Sequence, residues 1–465
     1  MLVLMLRVVD RSRSILKVSG GVRCIRNVRL SRKSTQMLSR TSLASRSNDG
    51  SNLCTQNQRA FSGDGLGLQS QFNQHAARGA KPLIKQAKIC GSSKMVLVGW
   101  DDGTVSRYPF VWLRANCRCN TCWHHDAYGR ISLMEDLDID IEPTGVKVST
   151  QGSEIEIHWP DNHLSPFEAS LLKDVTFKED VRKKNIRLWG SELLDELPTH
   201  QFDEIMSDDT KLLNFLEDLR DVGLTLMKGV PTETGNVEKI AERISYIKRV
   251  NNGYVLTLKS KANPSNIADT GFKLGLHTDF SHHYHTAGIT ALHCIQQSTI
   301  GGESMFADGF KTALQLKEEN PAAFQILCDF HCDFIQKNKH KTEFYTKCAW
   351  PTFSFDRHGN LAEVHYDHTS RDIRLRMPVE KVYQYFKAIK TYDDLIHRPE
   401  NTVNFRMQPG DMVMVNNIRI LHGRKAFQVT EGAERHFEIA FLDWDGVYSR
   451  IRCLREKLGM PFHEY

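Results

Sequence analysis

The sequence predicts an α+β protein: a small β-rich domain followed by a larger domain of mixed helices and strands. Between about 85 and 165, paired runs of alternating apolar and polar residues flank glycine-bearing turns. From about 200 onward, amphipathic helical stripes alternate with strand-like runs. The length of 465 residues leaves room for two or three domains of roughly 100–200 residues each. With 40% hydrophobic and 25% charged residues, the chain is neither collagen-like, disulfide-dense nor wholly disordered.

The N-terminus departs from this balance. Residues 1–61 hold 12 Lys/Arg and only two acids, Asp10 and Asp49, whereas the remainder holds 49 basic and 54 acidic residues. An Arg- and Ser-rich, acid-poor leader has the composition of a mitochondrial transit peptide. Arg59-Ala60-Phe61-Ser62 fits a matrix-protease cleavage site near Phe61–Ser62, so the expected location is the mitochondrial matrix. The mildly acidic body gives no electrostatic footprint for nucleic acid, and the longest apolar run, Met1 to Leu6, is too short to span a bilayer. Residues 62–84 read as a linker.

In the β-rich region, Met95–Trp100 and Thr104–Tyr108 flank Asp101-Asp102-Gly103, and Val146–Ser149 and Glu154–Trp159 flank Gln151-Gly152. Both are hairpin signals. Ile155, Ile157 and Trp159 alternate with polar residues, as in a half-buried strand. Beyond 200, Leu212, Leu213, Leu216, Leu219 and Val222 form a helical stripe stopped by Gly223, and the strand Leu224–Met227 follows. Val237, Ile240, Ala241, Ile244 and Ile247 give a second helix. Asn320-Pro321 opens a third, with Asn as cap and Pro at the first helical position. Val379, Val382, Tyr385, Phe386 and Ile389 give a fourth. Gly288–Ile295, Asp411–Val415 and Arg435–Phe441 read as strands.

Of 11 cysteines, Cys117, Cys119 and Cys122 fall within six residues. Thiolates at this density in a reducing compartment suit a tetrahedral Zn(II) site. His124, His125, His158 and His163 are available as a fourth ligand. His124 is too close to Cys122 to share an ion without strain, and His163 stands just past a strand end, where a loop can reach back. A four-ligand site is closed to substrate, so the zinc would be structural, in a domain spanning 85–190. Packed or redox cysteines are the alternative.

The strongest chemical signal is His277-Thr278-Asp279. On a strand, residues i and i+2 share a face, so His277 and Asp279 can bind one metal. A second His would complete the two-His-one-carboxylate triad of non-heme Fe(II) oxygenases. His422, in Ile420-Leu421-His422-Gly423-Arg424 after an apolar run, is the chosen partner. Arg435 opens a strand whose face-mates are Phe437, Ile439 and Phe441. A cation on an apolar face is costly unless it meets an anion, and guanidinium grips carboxylates in two-pronged fashion. The dicarboxylate 2-oxoglutarate would supply that anion. His282, His283 and His285 read mostly as loop residues.

Over about 95–460, these residues resemble the γ-butyrobetaine dioxygenase and trimethyllysine dioxygenase family of 2-oxoglutarate oxygenases. The resemblance rests on WLRANCRCNTC, WPDNH, WGSEL, GLHTDF, LHCIQ, GGES with DGF soon after, NPAAFQIL, ILHGR and DWDGVYSRIR. It implies a double-stranded β-helix (jelly-roll) catalytic domain over 195–460 behind the small zinc-binding domain. It also implies zinc on Cys117, Cys119, Cys122 and His163, iron on His277, Asp279 and His422, and 2-oxoglutarate on Arg435 with help from Asn266. Oxidative decarboxylation of 2-oxoglutarate by O2, supported by ascorbate and releasing succinate and CO2, would be coupled to hydroxylation of a small zwitterion. A homodimer is implied as well.

The resemblance leans toward the γ-butyrobetaine branch, which makes L-carnitine; trimethyllysine or another small ammonium acid is the alternative substrate. The family grips trimethylammonium with an aromatic cage, a cation–π device. This chain has Asn252, Leu256 and Asp269 where the family has aromatics, but keeps Phe280 and Phe441. Asp269, Phe280 and Phe441 are therefore the candidate substrate residues. Asn416 and Ile418 replace an Asp and a Trp usual in the family. These departures motivate a reading from another class, a zinc-stabilised interaction protein on a degenerate oxygenase scaffold.

Overall fold

The computed structural model describes residues 81–175, 177, 186–251, 253–259, 270–298, 300–338, 343–428 and 435–460. The leader with its cleavage site, most of the linker, and Asn252, Asn266 and Asp269 lie outside the described residues. The chain divides into two compact units, Met1–Glu179 and Asp180–Tyr465. No helix among the described residues is long and apolar enough to cross a membrane.

The first unit carries two antiparallel three-stranded sheets. One joins Ile84–Cys90, Met95–Trp100 and Val105–Pro109; the other joins Gly145–Val148, Glu154–His158 and Leu164–Glu168. The first hairpin turns where the signal lay: Gly103 adopts φ +79°, and the Thr104 N–H and hydroxyl both donate to Asp102 Oδ1. Alternation then sets the core. Val96, Val98, Tyr108, Ile155, Ile157 and Phe167 are buried together with Leu113. A one-residue slip of Glu154–His158 would exchange Ile155 and Ile157 for glutamates. That would forfeit about 1.5–3 kcal/mol for each buried side chain.

The second unit is built on eight strands: β1 (Val255–Lys259), β2 (Leu274–His277), β3 (Ile289–Gln296), β4 (Ser304–Asp308), β5 (Thr402–Phe405), β6 (Met412–Asn416), β7 (Ile420–Arg424) and β8 (His436–Leu442). One sheet has the order β1-β8-β3-β6, extended by Leu224–Lys228 and Thr199–Gln201; the other has β2-β7-β4-β5. All contacts among the eight are antiparallel. The chain therefore crosses between sheets at every step except β4 to β5, which is the topology of a double-stranded β-helix.

The central strands of the large sheet, β3, β6 and β8, have apolar residues on both faces. Ile289, Ala291, Met412, Met414, Ala440 and Leu442 meet the helices α1 (Asp209–Asp221), α2 (Asn236–Ile244) and, at the C-terminus, Trp444–Lys457. The opposite face, with Val413, Val415 and Phe437, packs with Phe306 and Ile420 of the small sheet. The small sheet is backed by α3 (Gly309–Glu319), α4 (Pro321–Asp329) and α5 (Val379–Ile396). Asn320 caps α4 as its sequence signal indicates, accepting from the Ala323 N–H, and Asp208 caps α1, accepting from the Thr210 and Lys211 N–H groups. In α5 the expected stripe is rotated. Tyr385, Ala388, Tyr392, Leu395 and Ile396 face the core, while Val379 is 77% and Phe386 41% exposed.

Candidate active site

The second unit brings His277, Asp279 and His422 together. His277 ends β2 and lies directly opposite His422 on β7. Their rings are 4.5 Å apart between centroids, and His422 Nε2 and His277 Nε2 stand 3.3 and 3.5 Å from the two Asp279 oxygens. All three ligand atoms lie within 4.8 Å of one another. Two imidazoles and one carboxylate converging from one side match the facial arrangement expected for Fe(II).

Local structure explains the convergence. A side chain at Gly423 would meet the Leu274 and Gly275 carbonyls at 2.8 and 2.9 Å, so glycine beside His422 lets β2 come close. The His277 Nδ1–H donates to Gly275 O at 2.9 Å, which turns Nε2 toward the cluster. The chain reverses immediately after Asp279, with Phe280 in the left-handed region at φ +61°, an uncommon conformation for a bulky residue. Asn417 holds this turn. Its Oδ1 accepts from the Asp279 N–H at 2.7 Å, and its Nδ2 donates to the carbonyls of Asp279 and Ala287. Thr290 Oγ1 donates to Asp279 Oδ2 at 3.0 Å. A buried Arg419–Asp308 ion pair ties the β6–β7 turn to the start of α3.

The electrostatics favour a cation here. Burial opposes charge on His277, yet the hydrogen bond and charge of Asp279 outweigh it and hold the imidazole up at about 9. Burial likewise opposes the Asp279 carboxylate, yet His422 and His277 hold it well below the usual carboxylate range.

Arg435 lies one residue before β8 and is 6% exposed. Its guanidinium sits 3.6 Å over the Phe437 ring. Burial, and then the charge of Arg424, lower its pKa to about 9. Its Nε has no hydrogen-bond partner, and among the described residues no carboxylate pairs with it. That is the environment of an anion site, and the donor set fits a carboxylate of 2-oxoglutarate.

Of the substrate candidates, Phe280 and Phe441 meet edge to face at 4.7 Å. Trp444 donates its indole N–H to Asn416 Oδ1, giving that substituted residue a bracing role. His282, read from sequence as a loop residue, is 6% exposed. Asn417 and Thr290 carried no sequence signal, because their partners are fixed by strand register.

In the first unit, Cys117, Cys119, Cys122 and His163 also converge within 4.8 Å. His163 Nε2 is 3.3, 3.5 and 3.5 Å from the three sulfurs. Of the other candidates, His124 Nδ1 accepts from the Ala127 N–H and His158 pairs with Glu156. Burial pushes the Cys117 thiol up to about 12. Burial also works against the Cys119 thiolate, but bonds from Thr121 help bring that thiol down to about 7. Three sulfurs and one imidazole are the donor set of a closed zinc site.

Residues 183–440 match the model of the taurine catabolism dioxygenase TauD, TfdA family, and residues 88–173 that of the γ-butyrobetaine hydroxylase-like N-terminal domain. The human γ-butyrobetaine dioxygenase is 33% identical over 383 residues, 81% of this chain and 98% of that protein. The enzyme of the same name from Pseudomonas sp. (strain AK-1) is 32% identical over 80% of this chain and 97% of its own length. The mouse mitochondrial trimethyllysine dioxygenase is 27% identical over 70% and 78%. With the two-His-one-carboxylate cluster inside a double-stranded β-helix, these matches establish that the chain belongs to the γ-butyrobetaine dioxygenase family of TauD/TfdA oxygenases, which depend on Fe(II), 2-oxoglutarate and O2.

Proposed function

We propose that this dioxygenase hydroxylates γ-butyrobetaine to L-carnitine, with release of succinate and CO2. The observation that carries the reading is a complete His277–Asp279–His422 cluster in a chain alignable with γ-butyrobetaine dioxygenases over nearly their full length. Those three residues would hold the iron, which supplies the redox chemistry that couples 2-oxoglutarate decarboxylation to C–H hydroxylation. Arg435 would bind and orient the far carboxylate of 2-oxoglutarate, with Asn266 assisting. Asn417 holds the backbone of Asp279 and Thr290 its carboxylate, and Phe280 and Phe441 would offer ring faces to a cationic substrate, with Asp269 adding charge.

The first unit would hold one structural zinc at Cys117, Cys119, Cys122 and His163. Ascorbate would support turnover, the enzyme would be a homodimer, and it would act in the mitochondrial matrix after cleavage near Phe61–Ser62. The basic leader supports that location, as does the word mitochondrial in the names of the trimethyllysine relatives.

The test is product analysis with Fe(II), 2-oxoglutarate, ascorbate and γ-butyrobetaine. Carnitine and succinate in equal amounts are expected. Hydroxylation of trimethyllysine instead would move the substrate assignment to the other branch. Absence of succinate under all conditions would favour a degenerate scaffold. N-terminal sequencing of the protein from cells should begin near Ser62, and an intact Met1 would overturn the import reading.

A further inference from the structure

Two exposed patches supply no residue to either metal cluster. The first is the segment 131–142, which follows the three cysteines. Ile131, Leu133, Met134 and Ile139 are exposed there, Met134 at 78%. Among them stand Glu135, Asp136, Asp138, Asp140 and Glu142, and the segment contains no Lys or Arg. Of these acids, only Asp140 has an ion pair among the described residues, with Lys94 at 2.7 Å.

The second patch is the outer face of α5 with the loop before it. Val379, Tyr383 and Phe386 recur at i, i+4 and i+7 and so share one helix face. Tyr383 is 77% exposed, and Ile373, ahead of the helix, 94%. The Arg371 guanidinium sits 4.8 Å from the centre of the Phe386 ring, which joins loop and helix into one surface. Residues 371–390 hold six Lys/Arg and two acids. Arg376 pairs with Asp333 and Lys390 with Asp394, whereas Arg374 and Lys387 have no ion pair among the described residues.

Clustered exposed apolar groups rimmed by charge mark contact surfaces. One patch is acidic and apolar, the other basic and apolar, and every copy of the chain carries both. We infer that the segment 131–142 of one copy docks on the outer α5 face of a second copy, and that two-fold symmetry makes the contact twice. The inference rests on the homodimer reading and names its surfaces. Either patch set against its own copy would face like charges, whereas the two set against each other match in charge and in apolar content. Apolar side chains would form the buried centre, with Tyr383 a suitable anchor. Opposite charges around it would fix the register and the choice of partner. In a two-fold contact a residue of one copy that meets a second residue is itself met by that residue's counterpart, so both patches are used in both copies.

Sedimentation velocity on the full chain tests this by measuring the dimer dissociation constant of the wild type, of E135K/D136K, of R374E/K387E and of an equal mixture of the two variants. The wild type should be a dimer. Each double reversal sets like charges against each other and should weaken association about 100-fold. Mixed together, the two variants should form a heterodimer of near wild-type affinity, because each then carries the sign that the other lacks. A monomeric wild type would overturn the homodimer reading and this inference with it. A dimer unmoved by both reversals, or weakened variants that mixing does not rescue, would overturn the inference alone. If a reversed variant does not fold, Met134→Ser and Tyr383→Ser decide the matter: each should weaken association about 10-fold, and unchanged constants would overturn the inference.

Discussion

In the first unit, three of four metal-capable residues fall within one six-residue loop, and the fourth, His163, follows 41 residues after Cys122. In the second unit, His277 and Asp279 depend on β2 pairing with β7 to bring in His422. The sulfur-rich cluster offers four donors and is closed. The oxygen- and nitrogen-rich cluster offers three and leaves positions for other ligands. A local cluster suits a site whose work is to hold a small unit together. A cluster assembled by strand register suits one that must hold ligands in a fixed geometry beside a barrel interior.

Breaking each cluster should give different readouts. The largest effect is expected from Cys119→Ala. Apparent binding free energies for structural zinc are about 10–16 kcal/mol, so losing a ligand should abolish zinc binding and the folding of the first unit, seen as missing zinc and a lost unfolding transition. Zinc-free wild-type protein with a normal first transition would break the comparison. Asp279→Ala and His277→Ala should cut succinate formation at least 100-fold, beyond the 10–100-fold cost of losing an outer partner of a metal ligand, with both unfolding transitions retained. Arg435→Ala should retain iron and raise the 2-oxoglutarate KM about 30-fold or more, from about 2–5 kcal/mol for a lost buried ionic partner; an unchanged KM would remove the anchor assignment.

The smallest effect is expected at a residue that only positions. Asn417→Ala removes the clamp on the Asp279 turn and should cost about 1–3 kcal/mol of stability. It should also lower succinate formation about 10-fold, while leaving the 2-oxoglutarate KM near wild type. Calorimetry and steady-state kinetics on one preparation would check both parts.

How much of this was legible in the sequence follows the same division. Cys117, Cys119 and Cys122 announce themselves by spacing, and His163 by its place after a strand. His277 and Asp279 are legible as a closely spaced pair, although the strand ends at His277 and Asp279 stands in the turn beyond it, and Arg435 as a cation in step with Phe437, Ile439 and Phe441. Asn417 and Thr290 are silent because their role exists only once distant strands are in register; Asn417 meets Asp279 across 138 residues. The rotated face of α5 shows the limit of periodicity itself. A helix with apolar residues at Val379, Val382, Tyr385, Phe386 and Ile389 as well as at Ala388, Tyr392 and Leu395 offers two stripes, and packing against the small sheet chooses between them.

The central claim is that one cluster is structural and the other catalytic, and that they are separable. Metal analysis of His422→Ala, paired with its succinate assay, tests this most directly. The account predicts one zinc per chain as in the wild type, lost iron and lost succinate formation. Succinate formation at the wild-type rate, or loss of zinc together with iron, would contradict it.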